Sequence, residues 1–92
     1  MADLVEPESL QKRAGEYLYR AGEVLRENGR VRIVELVPMR VIADVNDVET
    51  RSVVLEADGA LRASCDCGQP SADGLCPHIV AVAIETWHRA QR

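Results

Sequence analysis

The sequence predicts an α+β fold with an N-terminal helix, an antiparallel meander of about four strands and a C-terminal helix packed on the sheet. Three observations carry this. Apolar residues recur at helical spacing through the first third of the chain, alternate with period two through the middle, and return to an almost wholly apolar helical stretch near the end.

Over residues 8–28, Leu10, Ala14, Tyr17, Leu18, Ala21 and Leu25 fall on one helical face, which must pack on something. Ser9 is placed to act as the N-cap and Gly29 as the C-terminal stop. Gly15 and Gly22 lie on nearly the same side; they weaken the helix but allow a neighbour to approach closely, and Gly22 is the candidate breakpoint. Tyr17 joins the apolar stripe, which leaves Tyr19 as the exposed tyrosine.

Residues 30–64 read as strands. Val31 and Ile33 alternate with Arg30 and Arg32, and Met39, Val41, Ala43 and Val45 alternate with Arg40, Ile42 and Asp44. Pro38 separates these two runs, because it lacks the N–H that a central strand donates. Turn residues at Asn46–Asp47 and Asp58–Gly59 delimit a third strand, Val48 to Glu56, and a fourth, Ala60 to Cys65. On the fourth, Leu61, Ala63 and Cys65 share one face. A Gly, Pro, Ser and Asp-rich loop spans Gly68 to Gly74, and Pro77 opens a final helix running towards Arg89. Ile79, Val80, Val82, Ala83, Ile84 and Trp87 make that helix apolar round much of its girth, so it is expected to be buried against the sheet.

A length of 92 residues suits a single domain, 1–92, that hides a modest fraction of its surface, so a cross-link would help it. With no Phe and 3% aromatic residues, the core has to be built from Val, Leu, Ile and Ala. Fifteen acidic residues against eleven basic ones give a net charge of -4, which argues against a basic tail that coats nucleic acid. No apolar run approaches the roughly 20 residues a membrane helix needs, and the start of the chain is acidic rather than signal-like. A cytoplasmic protein is expected.

All three cysteines lie between positions 65 and 76, an odd number with no other cysteine in the chain to pair with, which favours metal binding over a disulfide framework. The pattern is Cys65-Asp66-Cys67, eight intervening residues, then Cys76-Pro77-His78. Zinc prefers four thiolate and imidazole ligands in structural sites, and a Cys3His set of Cys65, Cys67, Cys76 and His78 leaves no position for substrate. One structural zinc would then join the last strand to the last helix. The competing readings are a cluster of packing cysteines and a redox pair, although Cys-x-Cys lacks the two-residue spacer of thioredoxin-type motifs. His88, near the helix end, reads as a surface residue that complements the dipole.

The Cys-x-Cys, loop, Cys-x-His arrangement resembles the SWIM-type zinc finger. The stretch ALRASCDCGQPSADGLCPHIVAVAIETW looks like the core of that family, so residues 65–90 would form the finger. Further upstream, RAGEYLYRAG and the following Gly-Arg-Val-Arg resemble the helix and first strand that often precede it in bacterial members. Such domains occur in Swi/Snf-type helicases, Mutator-like transposases and a MAP kinase kinase kinase, and are associated with DNA binding or protein interaction. The resemblance implies a non-catalytic accessory that binds another protein, with a Swi/Snf-type ATPase of a DNA-processing system as the candidate partner. The chain has no Walker-type phosphate loop of its own. Asp66, between the first two cysteines, departs from what a phosphate-contacting knuckle would want.

The alternative is direct DNA binding. Arg32, Arg40, Arg51 and Arg62 lie on different predicted strands and are the candidate nucleic-acid contacts, although Asp44, Glu49 and Glu56 are interspersed among them. A zinc enzyme is disfavoured by the closed ligand set and by the lack of a Glu placed among histidines as in metalloproteases. No small-molecule substrate is expected.

Overall fold

A computed structural model describes residues 5–46, 49–57, 61–65 and 75–90. Helices α1 (Pro7–Ala14) and α2 (Glu16–Glu27) lead into strands β1 (Val31–Val37), β2 (Arg40–Asn46), β3 (Thr50–Ala57) and β4 (Leu61–Cys65), and the long helix α3 (Pro77–Ala90) closes the chain. The strands form one antiparallel sheet in the order β1-β2-β3-β4, the meander expected from their alternation. The expected turn at Asp58–Gly59, the loop from 68 to 74 and the starts of the third and fourth strands at Val48 and Ala60 lie outside the described residues.

The period-two pattern translates directly into burial. Val41, Ala43, Val45, Val53 and Leu55 are all fully buried on one sheet face, with Ala57 and Leu61 beside them. Helix α3 lies on this face and contacts all four strands, while α2 packs along its other side. That sandwiching explains why α3 is apolar almost all round, with every residue from His78 to Ile84 buried. Pro38 and Met39 form the two-residue turn between β1 and β2, closed by the Val37–Arg40 pair.

The single helix expected over 8–28 is instead two helices, and the break falls at Gly15 rather than Gly22. Gly15 has φ 87° and ψ 160°, a region that is almost exclusively glycine's, and its N–H donates to the Gln11 carbonyl at 2.8 Å to end α1. Gly22 stays helical and serves a different purpose. A Cβ placed there would lie 2.5 Å from Val80 Cγ1 and 2.9 Å from the Ala81 backbone nitrogen, so the missing side chain is what lets α2 approach α3.

The break also reverses the two tyrosines. A continuous helix would have set Tyr17 in line with Leu10 and Ala14, but the kink changes the phase, and Tyr17 is 85% exposed. Tyr19 packs against the core, where burial first and the Glu23 carboxylate second push its phenol above the usual value. At its far end α2 finishes in a Schellman arrangement, with the Gly29 N–H on the Arg26 carbonyl and the Arg30 N–H on that of Leu25. Arg26 also reaches Glu85 of α3 at 3.1 Å, and Arg89 holds the other oxygen of the same carboxylate at 2.9 Å.

Strand β1 carries a bulge that the alternation did not reveal. Ile33 pairs with Ala43 and Glu35 with Ile42, so Val34 is the extra residue and the faces swap beyond it. No helix among the described residues is long and apolar enough to cross a membrane.

Gly22→Ala tests the contact between α2 and α3. In an isolated helix the change would add about 1 kcal/mol of propensity, whereas overpacking against Val80 at 2.5 Å and the Ala81 backbone at 2.9 Å is expected to cost about 2–3 kcal/mol, a net loss of about 1–2 kcal/mol. Thermal denaturation should therefore show a midpoint several degrees lower, at about 4–8 °C per kcal/mol for a domain of this size. An unchanged or raised midpoint would mean that the helices are not in this contact.

Candidate metal centre

Three of the four expected ligands come together where β4 meets the start of α3. Cys65 ends β4 opposite Val53, on the sheet face that carries the core, so its side chain points towards the helix rather than to solvent. Cys76 occupies the cap position of α3, with its carbonyl accepting the first helical hydrogen bond from the Val80 N–H at 3.0 Å. Pro77 follows at the first helical position, where its missing N–H costs nothing and its φ suits a helix. One residue on, His78 projects from the first turn. Only Pro77 separates Cys76 from His78, and the helix start brings their side chains to the same spot.

The donor atoms of Cys65, Cys76 and His78 all lie within 4.8 Å of one another. His78 presents Nδ1 to both sulfurs, 3.8 Å from the Cys65 Sγ and 3.8 Å from the Cys76 Sγ. These separations are too long for strong hydrogen bonds. They match tetrahedral coordination: with metal–sulfur bonds of about 2.3 Å and metal–nitrogen bonds of about 2.0–2.1 Å, the sulfur–nitrogen edge is about 3.6 Å. Two thiols and one imidazole at that spacing can share one metal ion.

Two features of the surroundings act on the ligand state in opposite directions: burial disfavours a free thiolate, and the start of a helix favours one. Cys76 is 2% and His78 6% exposed, so the centre is shielded from bulk water on the helix side, while Cys65 is half-buried. The positive end of α3 favours a thiolate at Cys76. Cys67 and Asp66 lie outside the described residues.

The four arginines proposed as nucleic-acid contacts do not share a face. Arg32, Arg40 and Arg62 are on the outer face of the sheet, opposite the helices; Arg51 follows the inner parity of Val53 and Leu55. Acids are interleaved with all of them. Arg40 pairs with Glu35 at 2.9 Å and Arg51 with Glu49 at 3.2 Å, while Arg62 sits across from Glu56 and Arg32 across from Asp44. Arg30, which was not among those four, joins Arg32 on the outer face; its place in the Arg30–Val31–Arg32–Ile33 alternation was the available signal. His88 is exposed near the end of α3, away from the centre.

Comparisons with protein-family models, with curated proteins and with solved structures found no match.

Metal analysis of purified protein by native mass spectrometry should find one bound divalent ion, absent after strong chelation. Cys65→Ser, Cys76→Ser and His78→Ala should each weaken metal binding by more than the roughly 10- to 100-fold typical of losing a merely supporting group. Cys67→Ser should do the same if it completes the set. Metal retained at wild-type level in the Cys76 and His78 variants would mean that the cluster is packing.

Proposed function

We propose that this chain is a non-catalytic zinc-binding module of the SWIM type that mediates protein interaction, acting as an accessory to a DNA-processing ATPase or helicase. The observation that carries the zinc reading is the convergence of Cys65, Cys76 and His78 donors at the junction of β4 and α3. Cys67, two residues beyond Cys65, supplies the fourth ligand in this reading. Thiolate and imidazole together suit zinc. A Cys3His set is closed, so the ion would serve structure: it would pin the edge strand β4 and the segment after it to the start of α3. Binding of this kind is worth roughly 10–16 kcal/mol in zinc-finger peptides, comparable with the whole stability of a small domain.

An interaction role is supported by the surface. Val34, Leu36, Val37 and Met39, along edge strand β1 and its turn, are between 41% and 58% exposed, which leaves apolar side chains at an open sheet edge. The interleaving of acids and arginines on the outer sheet face, with a net charge of -4, weighs against a surface that tracks a nucleic-acid backbone.

Two measurements test this. Chelation should lower the thermal midpoint markedly and reduce amide protection first in β4 and the opening turns of α3; protection unaltered by chelation would contradict a structural ion. Fluorescence anisotropy with a labelled DNA duplex at low salt should show no saturable binding. Binding that falls steeply as salt rises would replace protein interaction with nucleic-acid recognition.

A further inference from the structure

On the face of the sheet opposite the helices, the end where α2 runs into β1 carries an open cleft of about 290 Å³ lined by Gly29, Arg30, Arg32, Asp44, Asn46 and Thr50. We propose that this cleft is a carboxylate-binding site, formed by Arg30 and Arg32, that receives an acidic side chain of a partner peptide. The proposal rests on the interaction reading for its occupant but is independent of the metal.

The cleft is built from two rows of the outer sheet face. In the first, the Arg30 carbonyl accepts from the Asn46 N–H at 2.8 Å, and Asn46 pairs with Thr50. In the second, Arg32 pairs with Asp44. Arg30, just before β1 with its carbonyl in the ladder, and Arg32 within β1 are two positions apart, so they leave the same face about 7 Å apart, near enough for two guanidinium groups to close on one ligand group. Both are exposed, and among the described residues neither forms an ion pair, unlike Arg26, Arg40, Arg51 and Arg89, which all do. The Asn46 amide and the Thr50 hydroxyl add uncharged donors at the rim.

Charge selects the ligand class. Two guanidinium groups against the single Asp44 carboxylate leave one net positive charge in the cleft, which one carboxylate balances. The guanidinium fork also matches a planar carboxylate in a bidentate way. A polyanion would need further unpaired cations in line, and along this face Arg40 is held by Glu35 while Arg62 stands opposite Glu56. The site therefore suits a single anionic group on a short segment better than a phosphate chain.

The test is a nitrogen-15 amide NMR titration of the metal-loaded protein with a capped pentapeptide holding one Glu among Gly and Ser, and with its Gln counterpart. Inorganic phosphate and a single-stranded oligonucleotide are the competing probes, and metal content is measured on the same samples. The Glu peptide should shift the amides of Arg30, Arg32, Asn46 and Thr50 in a saturable way, the Gln peptide should not, and Arg30→Ala with Arg32→Ala should weaken binding at least tenfold. Asp44→Asn should tighten it, a gain that a misfolded variant would not show. Equal shifts with the Gln peptide, shifts scattered over the surface, or binding only of phosphate or oligonucleotide would overturn the assignment. A negative peptide result on fully metal-loaded protein would remove this cleft and leave the zinc reading standing, whereas loss of metal from the sample would strike the zinc reading itself.

Discussion

The burial of α3 between the sheet and α2 is the constraint on which the rest of the structure depends. A chain with no Phe has few large side chains with which to fill a core, and it compensates by placing one helix where both of its sides are covered. Val80, Ala81, Val82 and Ala83 are completely buried, small or β-branched residues that let the layers lie close. Gly22 completes this arrangement by removing the one side chain of α2 that would collide with Val80. Because α3 is held along its length, its first turn is fixed in space, and Cys76 and His78 are carried to a set position above the end of β4. The candidate metal centre is thus a consequence of core packing, and an ion there would reinforce a junction the core has already positioned.

Much of this was legible in the sequence because periodicity reports which faces are buried. The four strands, their meander order and the helix that Pro77 begins followed from alternation, turn residues and one proline. Spacing alone marked Cys65, Cys67, Cys76 and His78 as candidate ligands, since two such pairs around a polar loop have few other uses. The structure adds that Cys65, Cys76 and His78 do converge, and that His78 turns Nδ1 towards the sulfurs.

Other features depended on contacts that spacing does not encode. Gly15 and Gly22 carry the same helix penalty, and spacing does not say that the chain turns at Gly15 while Gly22 stays helical and makes room for Val80. Once the break moved, the faces of α2 moved with it, which is why Tyr17 is exposed and Tyr19 is packed. The bulge at Val34 changes parity by one residue without any glycine or proline to announce it. The arginines illustrate the same limit: their strands were predictable, but ion pairing was not, since Arg40 closes on Glu35 and Arg51 on Glu49 whereas Arg32, although across from Asp44, forms no ion pair among the described residues, nor does Arg30.

A structural role for a metal here depends on how an ion is coordinated at the junction of β4 and α3. The most direct test is zinc K-edge X-ray absorption on the purified, metal-loaded protein. The expected first shell is about three sulfurs at about 2.3 Å and one nitrogen at about 2.0–2.1 Å, with no oxygen ligand. A shell with two or fewer sulfurs, or one holding an exchangeable water oxygen, would contradict a closed Cys3His site and with it the structural role assigned to the metal.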